Sequence, residues 1–281
     1  MSNSIRVLSL TVLSAALVAC TPNLAVPQPS EAPRGRTVYG VSSANQLVRF
    51  GSENSGTSLT TRAITGLGGG ESIVGIDFGP GPGPSAGLLY AVGSSSRIYT
   101  LNPETGTATP VGTAPFTPAL SGTFFGVDFN PVPNRMRTHS DAEQNLRLNQ
   151  ETGALAAVDG TLRYVDGDVA AGQNPALVGT AYTNSVAGAT STTLFALDAA
   201  RDALVIVNPP NEGLLNTVGA LGLDISENAG FDITPQGTAF AALTPVGGGA
   251  STLYTLDLKT GRASALGAVG DVTLRGIAVA P

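Results

Sequence analysis

The chain has 281 residues, of which only 12% are charged, and it contains 36 glycines and 19 prolines. Glycine and proline are the poorest helix formers, so this composition disfavours a helical protein. The net charge of −6 argues against binding to nucleic acid, which needs a basic surface, and against adsorption to anionic lipid.

The first 20 residues have the pattern of a signal peptide. Arg6 precedes an apolar run over residues 7–19, which is shorter than the roughly 20 residues that span a bilayer. The run ends in Leu17-Val18-Ala19-Cys20, which resembles the lipobox of bacterial lipoproteins, where a peptidase cuts before a cysteine that carries diacylglycerol. Cys20 is the single cysteine of the chain and cannot form an internal disulfide. Residues 1–20 are therefore predicted to be a lipoprotein signal peptide ending at Cys20; the alternative is an ordinary secretory signal with an incidental cysteine.

Residues 21–36 are rich in proline and poor in apolar side chains. Such a segment cannot bury a core, so we expect an extended tether that holds the following domain away from the membrane. Residues 37–281 are long enough for one sizeable domain with its own core.

A short apolar strand of the form Gly-apolar-Asp-apolar-x-Pro recurs along this domain. Its full and degenerate copies begin at Gly75, Gly126, Gly179, Gly230 and Gly276, in steps of 51, 53, 51 and 46 residues. The copy at Gly179 lacks the Asp and the Pro, and the copy at Gly276 lacks the Asp. A period of this length predicts a repeat architecture such as a propeller.

A strand that runs into a turn forms a second repeated motif. Three copies occupy residues 99–106, 146–153 and 254–261; residues 195–202 are taken as a fourth copy, and residues 48–56 as a longer fifth. Alternating apolar residues build the strand, and Asn or Asp with Gly supplies the corner of a hairpin. With further strand-like runs between the motifs, each repeat can hold four short strands, the size of a propeller blade.

The two ends of the domain complement each other. The N-terminal repeat has the hairpin at 48–56 without a preceding Gly-apolar-Asp strand, and the C-terminal repeat consists of that strand alone, at 275–281. Together they complete one unit, which is how a propeller closes its ring without an open sheet edge. We therefore predict an all-β fold, a β-propeller of five blades with four antiparallel strands each, whose terminal segments share the closing blade. A six-bladed ring with an extra blade within 202–230 and an open solenoid are the alternatives.

Several long segments resemble an uncharacterised family of bacterial extracellular proteins, a domain of unknown function. They are GVDFNPVPNRMRTHSDAEQNLRLNQETG at 126–153, TLRYVDGDVAAGQNP at 161–175, VGTAYTNS at 178–185 and NPPNEGLLNTVGALG at 208–222. The resemblance covers essentially all of residues 37–281. It implies export and a propeller-like repeat fold, and it implies no activity.

Asp77, Asp128 and Asp232 occupy equivalent positions in three repeats, and each is flanked by apolar residues. If their strands are innermost, the three carboxylates converge on the propeller axis. They could then bind a hard cation such as Ca²⁺, or act as the acids of a glycosidase. Alternatively, each Asp accepts hydrogen bonds from nearby backbone N–H groups and locks its own blade. Alanines at the equivalent positions 181 and 278 weigh against a closed ring of metal ligands.

Arg135, Arg137 and Arg147 are concentrated in a part of the chain that is otherwise poor in charge. Arginine binds carboxylates and phosphates through two parallel hydrogen bonds, so these residues are candidate contacts for an anionic ligand. The alternative is internal pairing with Asp128, Asp141 or Glu143.

Two other features have plain structural interpretations. His139 is the single histidine; it has no partner for a zinc site or a catalytic triad, and we expect it in a surface loop. Asp166-Gly167-Asp168 lacks the remaining ligands of a calcium loop and is expected to form a turn.

These features predict an exported protein of the cell envelope, anchored through lipid on Cys20, or alternatively secreted. We expect a monomeric, non-enzymatic interaction module whose partner is another protein or an envelope polymer, with no catalytic residue and no cofactor assigned. A protein that binds a cation through the Asp set or a small anion through the Arg cluster is the first alternative. A glycosidase or lyase is the second, although the absence of Trp and the 5% aromatic content disfavour sugar stacking.

Overall fold

The computed structural model of the protein describes residues 30–81 and 83–281, together with Met1. Cys20, the predicted signal peptide and most of the predicted tether lie outside the described residues. In the part of the chain that is described, no helix is long and apolar enough to cross a membrane.

The described domain consists of short strands and a single 3-10 turn at Pro210–Glu212. In chain order the strands are β1 (Thr37–Ser42), β2 (Gln46–Gly51), β3 (Thr60–Ala63), β4 (Ile73–Phe78), β5 (Leu89–Gly93), β6 (Arg97–Leu101), β7 (Ala108–Val111), β8 (Phe125–Asn130), β9 (Arg135–Ser140), β10 (Asn145–Leu148), β11 (Leu155–Val158), β12 (Arg163–Tyr164), β13 (Leu177–Tyr182), β14 (Leu194–Asp198), β15 (Ala203–Val207), β16 (Leu214–Ala220), β17 (Ile225–Ile233), β18 (Ala239–Pro245), β19 (Thr252–Leu256), β20 (Ala263–Ala268) and β21 (Leu274–Val279).

These strands form five small sheets arranged in a ring, a five-bladed β-propeller. Blade 1 is β4-β5-β6-β7, blade 2 is β8-β9-β10-β11, blade 3 is β13-β14-β15-β16, blade 4 is β17-β18-β19-β20, and blade 5 is β21-β1-β2-β3. The first strand of each blade is innermost, and these five strands contact one another around the axis in the order β4, β8, β13, β17 and β21. The predicted fold class is confirmed, and the six-bladed ring is wrong because β15 and β16 are the outer strands of blade 3.

Blade 5 is built from both ends of the domain, as predicted. Strand β21 pairs antiparallel with β1, with Val38 opposite Val279 and Gly40 opposite Ile277. Every inner strand therefore has a blade on each side, and the ring has no open end.

Blade 3 differs from the others in its outer edge. The short strand β12, which lies in the segment between blades 2 and 3, adds to β16 in a parallel pairing, with Arg163 opposite Leu214. Blade 3 thus has five strands, one more than predicted.

The hairpin motif at 195–202 was assigned to the wrong turn of its blade. Residues 195–202 connect the second and third strands of blade 3, whereas the other four copies connect the third and fourth strands. The structural equivalent is the segment 205–213, which ends in Gly213 with a φ of 69°. Its Asn208-Pro209 matches Asn102-Pro103 of blade 1, but one extra residue separates the Asn from the Gly and hides the repeat.

The antiparallel order of each blade places its connections on two opposite faces. One face, which we call the turn face, carries the loops between first and second strands and the turns between third and fourth strands. The other, the linker face, carries the turns between second and third strands and the segments that link successive blades, such as 112–124 and 159–176.

The end of the predicted tether is part of the domain. The Glu31 N–H donates to the Thr57 carbonyl at 2.9 Å, and the Ser52 N–H donates to the Arg36 carbonyl at 2.9 Å. These bonds attach residues 31–36 to the turn between β2 and β3, on the turn face.

Candidate functional site

The edge of each inner strand that faces the axis has backbone N–H and C=O groups without a partner strand. An inner strand has a partner strand on its outer side alone, so every second N–H and C=O group points to the axis without a ladder partner. A buried N–H without an acceptor costs free energy, so the axis must supply acceptors. Near the turn face, the five N–H groups that need acceptors belong to equivalent residues of the five blades: Phe78, Phe129, Tyr182, Ile233 and Val279.

Asp77, Asp128 and Asp232 lie together at this place. All three are buried, and each offers a carboxylate oxygen within 4.8 Å of the others. The structure therefore brings together the three acids that the repeat singled out.

Two of the carboxylates each bind two N–H groups. Asp77 accepts from Phe78 of its own strand at 2.7 Å and from Phe129 of blade 2 at 2.8 Å. Asp232 accepts from Ile233 of its own strand at 2.6 Å and from Val279 of blade 5 at 2.6 Å.

Asp128 binds a single N–H group, that of Tyr182 in blade 3, at 3.1 Å. Three carboxylates thus accept from all five axial N–H groups, and each of them reaches the next blade around the ring. This explains why alanine suffices at positions 181 and 278: the N–H groups that acids there would have bound are taken by Asp232 and Asp77. The acids tie neighbouring blades together rather than locking single blades.

The three carboxyl groups resist full ionisation. Burial raises the pKa of Asp128 well above its ordinary value, and the charges of Asp77 and Asp232 add to this shift. Burial and the charge of Asp232 likewise raise the pKa of Asp77 well above its ordinary value. Burial raises the pKa of Asp232 to about 6, although its two N–H donors act in the opposite direction.

The five motif glycines line the axis two residues before the carboxylate positions on the inner strands. A Cβ atom at Gly126 would lie 2.7 Å from the backbone of Gly179, and one at Gly230 would lie 2.6 Å from the Ile277 nitrogen. The space left here for the centre of a water molecule is about 10 Å³, enough for roughly one water. Four of the five glycines are therefore needed for the close approach of the inner strands, since a Cβ atom at Gly276 would meet its nearest atom at 3.4 Å. The repeat pattern alone did not reveal this role.

Arg137 lies in the interface between blades 2 and 3, and we call such an interface between neighbouring blades a seam. Its side chain is 1% exposed. Nε donates to the Tyr182 hydroxyl at 2.7 Å, one terminal nitrogen donates to Asp159 at 2.8 Å, and the other donates to Asn211 at 2.7 Å. All three nitrogens of this guanidinium therefore have internal acceptors.

The other two arginines of the cluster also have internal acceptors. Arg147 lies opposite Arg137 on β10 and forms a bidentate pair with Asp159, both bonds being 2.8 Å. Arg135 donates to the Asn134 carbonyl at 2.8 Å. The acid that pairs with the cluster is Asp159 rather than Asp128, Asp141 or Glu143. No local pattern marked Asp159, because it follows β11 and reaches the arginines through the strand pairing.

His139 was expected in a surface loop, and this expectation is wrong. It lies on β9, fully buried, with Nδ1 2.7 Å from the Thr180 hydroxyl oxygen across the seam. Burial lowers the pKa of His139 well below its ordinary value, and the charge of Arg137 lowers it further. The imidazole is therefore neutral at physiological pH.

Asp166-Gly167-Asp168 forms a turn at the outer edge of blade 3. Asp168 accepts from the Thr217 N–H and from the Thr217 hydroxyl, both at 2.7 Å, and from the Ala170 N–H at 2.9 Å. Its carboxylate fastens the 159–176 segment to β16.

The chain is similar in fold to solved structures of low sequence identity. A Bacteroides thetaiotaomicron protein of unknown function has a TM-score of 0.49 and 14% identity, over 82% of this chain and 55% of that one. A GH43 glycoside hydrolase engineered to have endo-xylanase and exo-arabinofuranosidase activity has a TM-score of 0.50 and 12% identity, over 86% of this chain and 52% of that one. Myxococcus xanthus glutaminyl cyclase has a TM-score of 0.42 and 12% identity, over 73% and 89%. This chain spans about half the length of the first two proteins.

No curated protein matches this chain in sequence. A family model does match, over residues 46–278, from the third strand of blade 5 to the end of the inner strand β21. The matched region includes blades 1 to 4, all of blade 5 except β1 and the last residue of β21, the axial carboxylates and the arginine cluster. The chain therefore belongs to the DUF4394 family, a domain of unknown function.

Proposed function

We propose that the protein is an exported, lipid-anchored propeller of the cell envelope that acts as a non-enzymatic interaction module. The observation that carries the non-enzymatic part is the closed axis. The carboxylates that could have served as catalytic acids are buried and accept hydrogen bonds from backbone N–H groups, and the space between the inner strands at the neighbouring glycines holds about one water. A sugar ring cannot reach these acids in this arrangement.

The arginine cluster supports the same proposal. A site for an anionic ligand needs guanidinium donors that are free to bind it, and Arg137 and Arg147 donate to Asp159 and to other internal acceptors. These arginines hold the seam between blades 2 and 3. Binding of a partner protein or an envelope polymer then falls to the loops on the surface.

Export and anchoring rest on the sequence of the first 20 residues. The test is expression of the wild-type chain and the Cys20→Ser variant with labelled fatty acid. We expect the wild-type chain to incorporate label and to fractionate with membranes, and we expect the variant to do neither. Equal membrane association of both chains without label would contradict the anchor.

The non-enzymatic role is tested with a panel of envelope and plant polysaccharides. We expect no release of reducing ends by the purified protein. Turnover that is abolished by Asp128→Asn, in a variant that remains folded, would contradict the proposal and would place catalysis on the axis.

Cation binding is the second candidate function, and it is favoured by one observation, the approach of three carboxylates to within 4.8 Å. A cation bound to the native state raises the melting temperature by mass action. Titration with Ca²⁺ is therefore the test, with Asp128→Asn as the control. A rise in the wild-type protein that the variant lacks would support a cation site, and equal melting curves would reject it.

A further inference from the structure

The chain enters the described domain at the turn face. Residues 31–36 are hydrogen-bonded to the turn between β2 and β3, and the Arg36 guanidinium donates to the Ala280 carbonyl at 3.3 Å. A preceding anchor is therefore connected to the domain at this face, next to the end of β21.

The proposed anchor is close to this position in the chain. Ten residues separate Cys20 from Glu31, and a fully extended chain of that length reaches at most about 35 Å. The linker face lies farther from the attachment by the length of a strand, about 20 Å for six residues. The proposed lipid on Cys20 can therefore bring the turn face to the bilayer directly, whereas the linker face reaches the bilayer only if the domain turns over on its tether.

The turn face also carries exposed apolar residues in a regular arrangement. Leu88, Val132 and Val186 lie in the loops between the first and second strands of blades 1, 2 and 3, which are consecutive blades. The exposed large apolar residues in the loops of the linker face are Val169, in the segment that links blades 2 and 3, and Val246, in the turn between the second and third strands of blade 4. They are individually more exposed but do not occupy equivalent loops. Single exposed apolar residues are common, but the same loop in three adjacent blades forms an arc that can rest on a lipid surface.

The linker face is also the more acidic of the two faces. Outside the strands, the described loops and turns of the turn face carry six acidic and four basic residues, the basic ones being Arg34, Arg36, Lys259 and Arg262. The linker face, with β12 included, carries nine acidic and two basic residues. An anionic bilayer repels an acidic surface, so the linker face is the less favourable one to lay against it.

We infer that the turn face of the propeller lies against the lipid bilayer, with the apolar arc of Leu88, Val132 and Val186 at the lipid–water boundary. This orientation rests on the lipid anchor proposed above. It presents the linker face, with its long segments 64–72, 112–124 and 159–176, to partners away from the membrane.

The experiment uses the full lipidated chain on vesicles of phosphatidylethanolamine and phosphatidylglycerol. Because lipid occupies the single native cysteine, Val132→Cys and Val169→Cys each add one free thiol, on the turn face and on the linker face respectively. Each thiol is labelled with an environment-sensitive fluorophore, and the vesicles contain a lipid with a quencher in its headgroup. We expect quenching of the Val132→Cys label to exceed that of the Val169→Cys label at least threefold.

Equal quenching of the two labels, or stronger quenching at Val169→Cys, would overturn the orientation. The Cys20→Ser variant separates this failure from failure of the anchor. If the wild-type chain leaves the vesicles as readily as Cys20→Ser, the anchor is rejected and the orientation with it. If the wild-type chain stays bound and its labels are equally quenched, the orientation alone is rejected.

Discussion

The two seams on either side of blade 3 are built in different ways. The seam between blades 3 and 4 is apolar, with Phe231, Leu197 and Leu243 fully buried in one hydrophobic cluster. The seam between blades 2 and 3 buries Arg137, with Asp159 beside it, and is held by directed hydrogen bonds.

The difference comes from two positions on the second strand of each blade. Opposite the axial Asp or Ala, four blades have an aromatic residue, and these are Tyr39, Tyr90, Phe195 and Phe240. Blade 2 has Arg137 there. Opposite the axial glycine, four blades have an aliphatic residue, and blade 2 has His139. The same repeat can therefore stabilise a seam by apolar packing or by hydrogen bonding. Substitutions in the two kinds of seam should differ in how much stability they cost and in whether a second substitution restores it.

Removing the acid of the polar seam should have the largest effect. Asp159→Asn leaves Arg137 buried without its counter-charge, and breaking a buried ion pair on one side costs about 3–5 kcal/mol. Urea unfolding measures the loss. The double variant Arg137→Met with Asp159→Asn should recover most of it, because this seam then holds no unpaired buried charge. A double variant as unstable as the single one would contradict this account of the seam.

Truncation in the apolar seam should cost somewhat less. Leu243→Ala removes buried methyl groups and leaves a cavity, and such changes cost about 2–4 kcal/mol. The midpoint and slope of urea unfolding report it. In this seam, a second substitution at a charged residue should not restore stability. If it did, the distinction between an apolar seam and a hydrogen-bonded seam would be contradicted.

The axial glycines test how closely blades 2 and 3 approach. Gly126→Ala places Cβ 2.7 Å from the Gly179 backbone, so the strands must separate, at a cost of about 2–3 kcal/mol. Gly276→Ala is the matched control, because its Cβ meets its nearest atom at 3.4 Å in ordinary contact. Thermal melting of both variants decides the matter: equal losses would show that close approach is not what requires glycine.

Substitution of an axial carboxylate should have the smallest effect on stability, and this effect should depend on pH. Their folded pKa values are raised above that of an unfolded Asp, about 3.9, so the folded state retains protons that the unfolded state releases. The contribution of these carboxyl groups to stability should therefore fall as pH rises from about 4 through the Asp232 value of about 6 and beyond. His139, whose folded pKa is lowered, contributes in the opposite direction as pH rises toward the ordinary pKa of histidine.

Asp128→Asn should raise stability near pH 8 by about 1–2 kcal/mol and flatten this dependence, because it removes a charge while its amide oxygen still accepts from Tyr182. Asp77→Asn is the contrast, since one amide oxygen cannot serve both of its N–H donors. Unfolding midpoints measured from pH 4 to pH 8 test both variants. A wild-type stability that rises relative to that of Asp128→Asn over this range would contradict the raised pKa values, because the contribution of His139 is common to both proteins.

The amino-acid sequence by itself determined the repeat, the number of blades and the ring closure. These follow from local chemistry: strand alternation, turns with Asn or Asp and Gly, and complementary half-repeats at 48–56 and 275–281. The same repeat singled out Asp77, Asp128 and Asp232, because equivalent positions on inner strands share one place in a ring.

Only the tertiary structure decided what these residues contact. Arg137 and Asn211 are 74 residues apart, and their bond exists because blades 2 and 3 dock. His139 has no partner for a zinc site or a triad, so it was expected in a surface loop, whereas its strand position buries it across from the axial Gly126. Turns and strands are read from neighbours in the chain, but burial and hydrogen-bond partners depend on which blades meet. For this reason the sequence predicted the ring, whereas the contacts in the seams between its blades were decided by the tertiary structure.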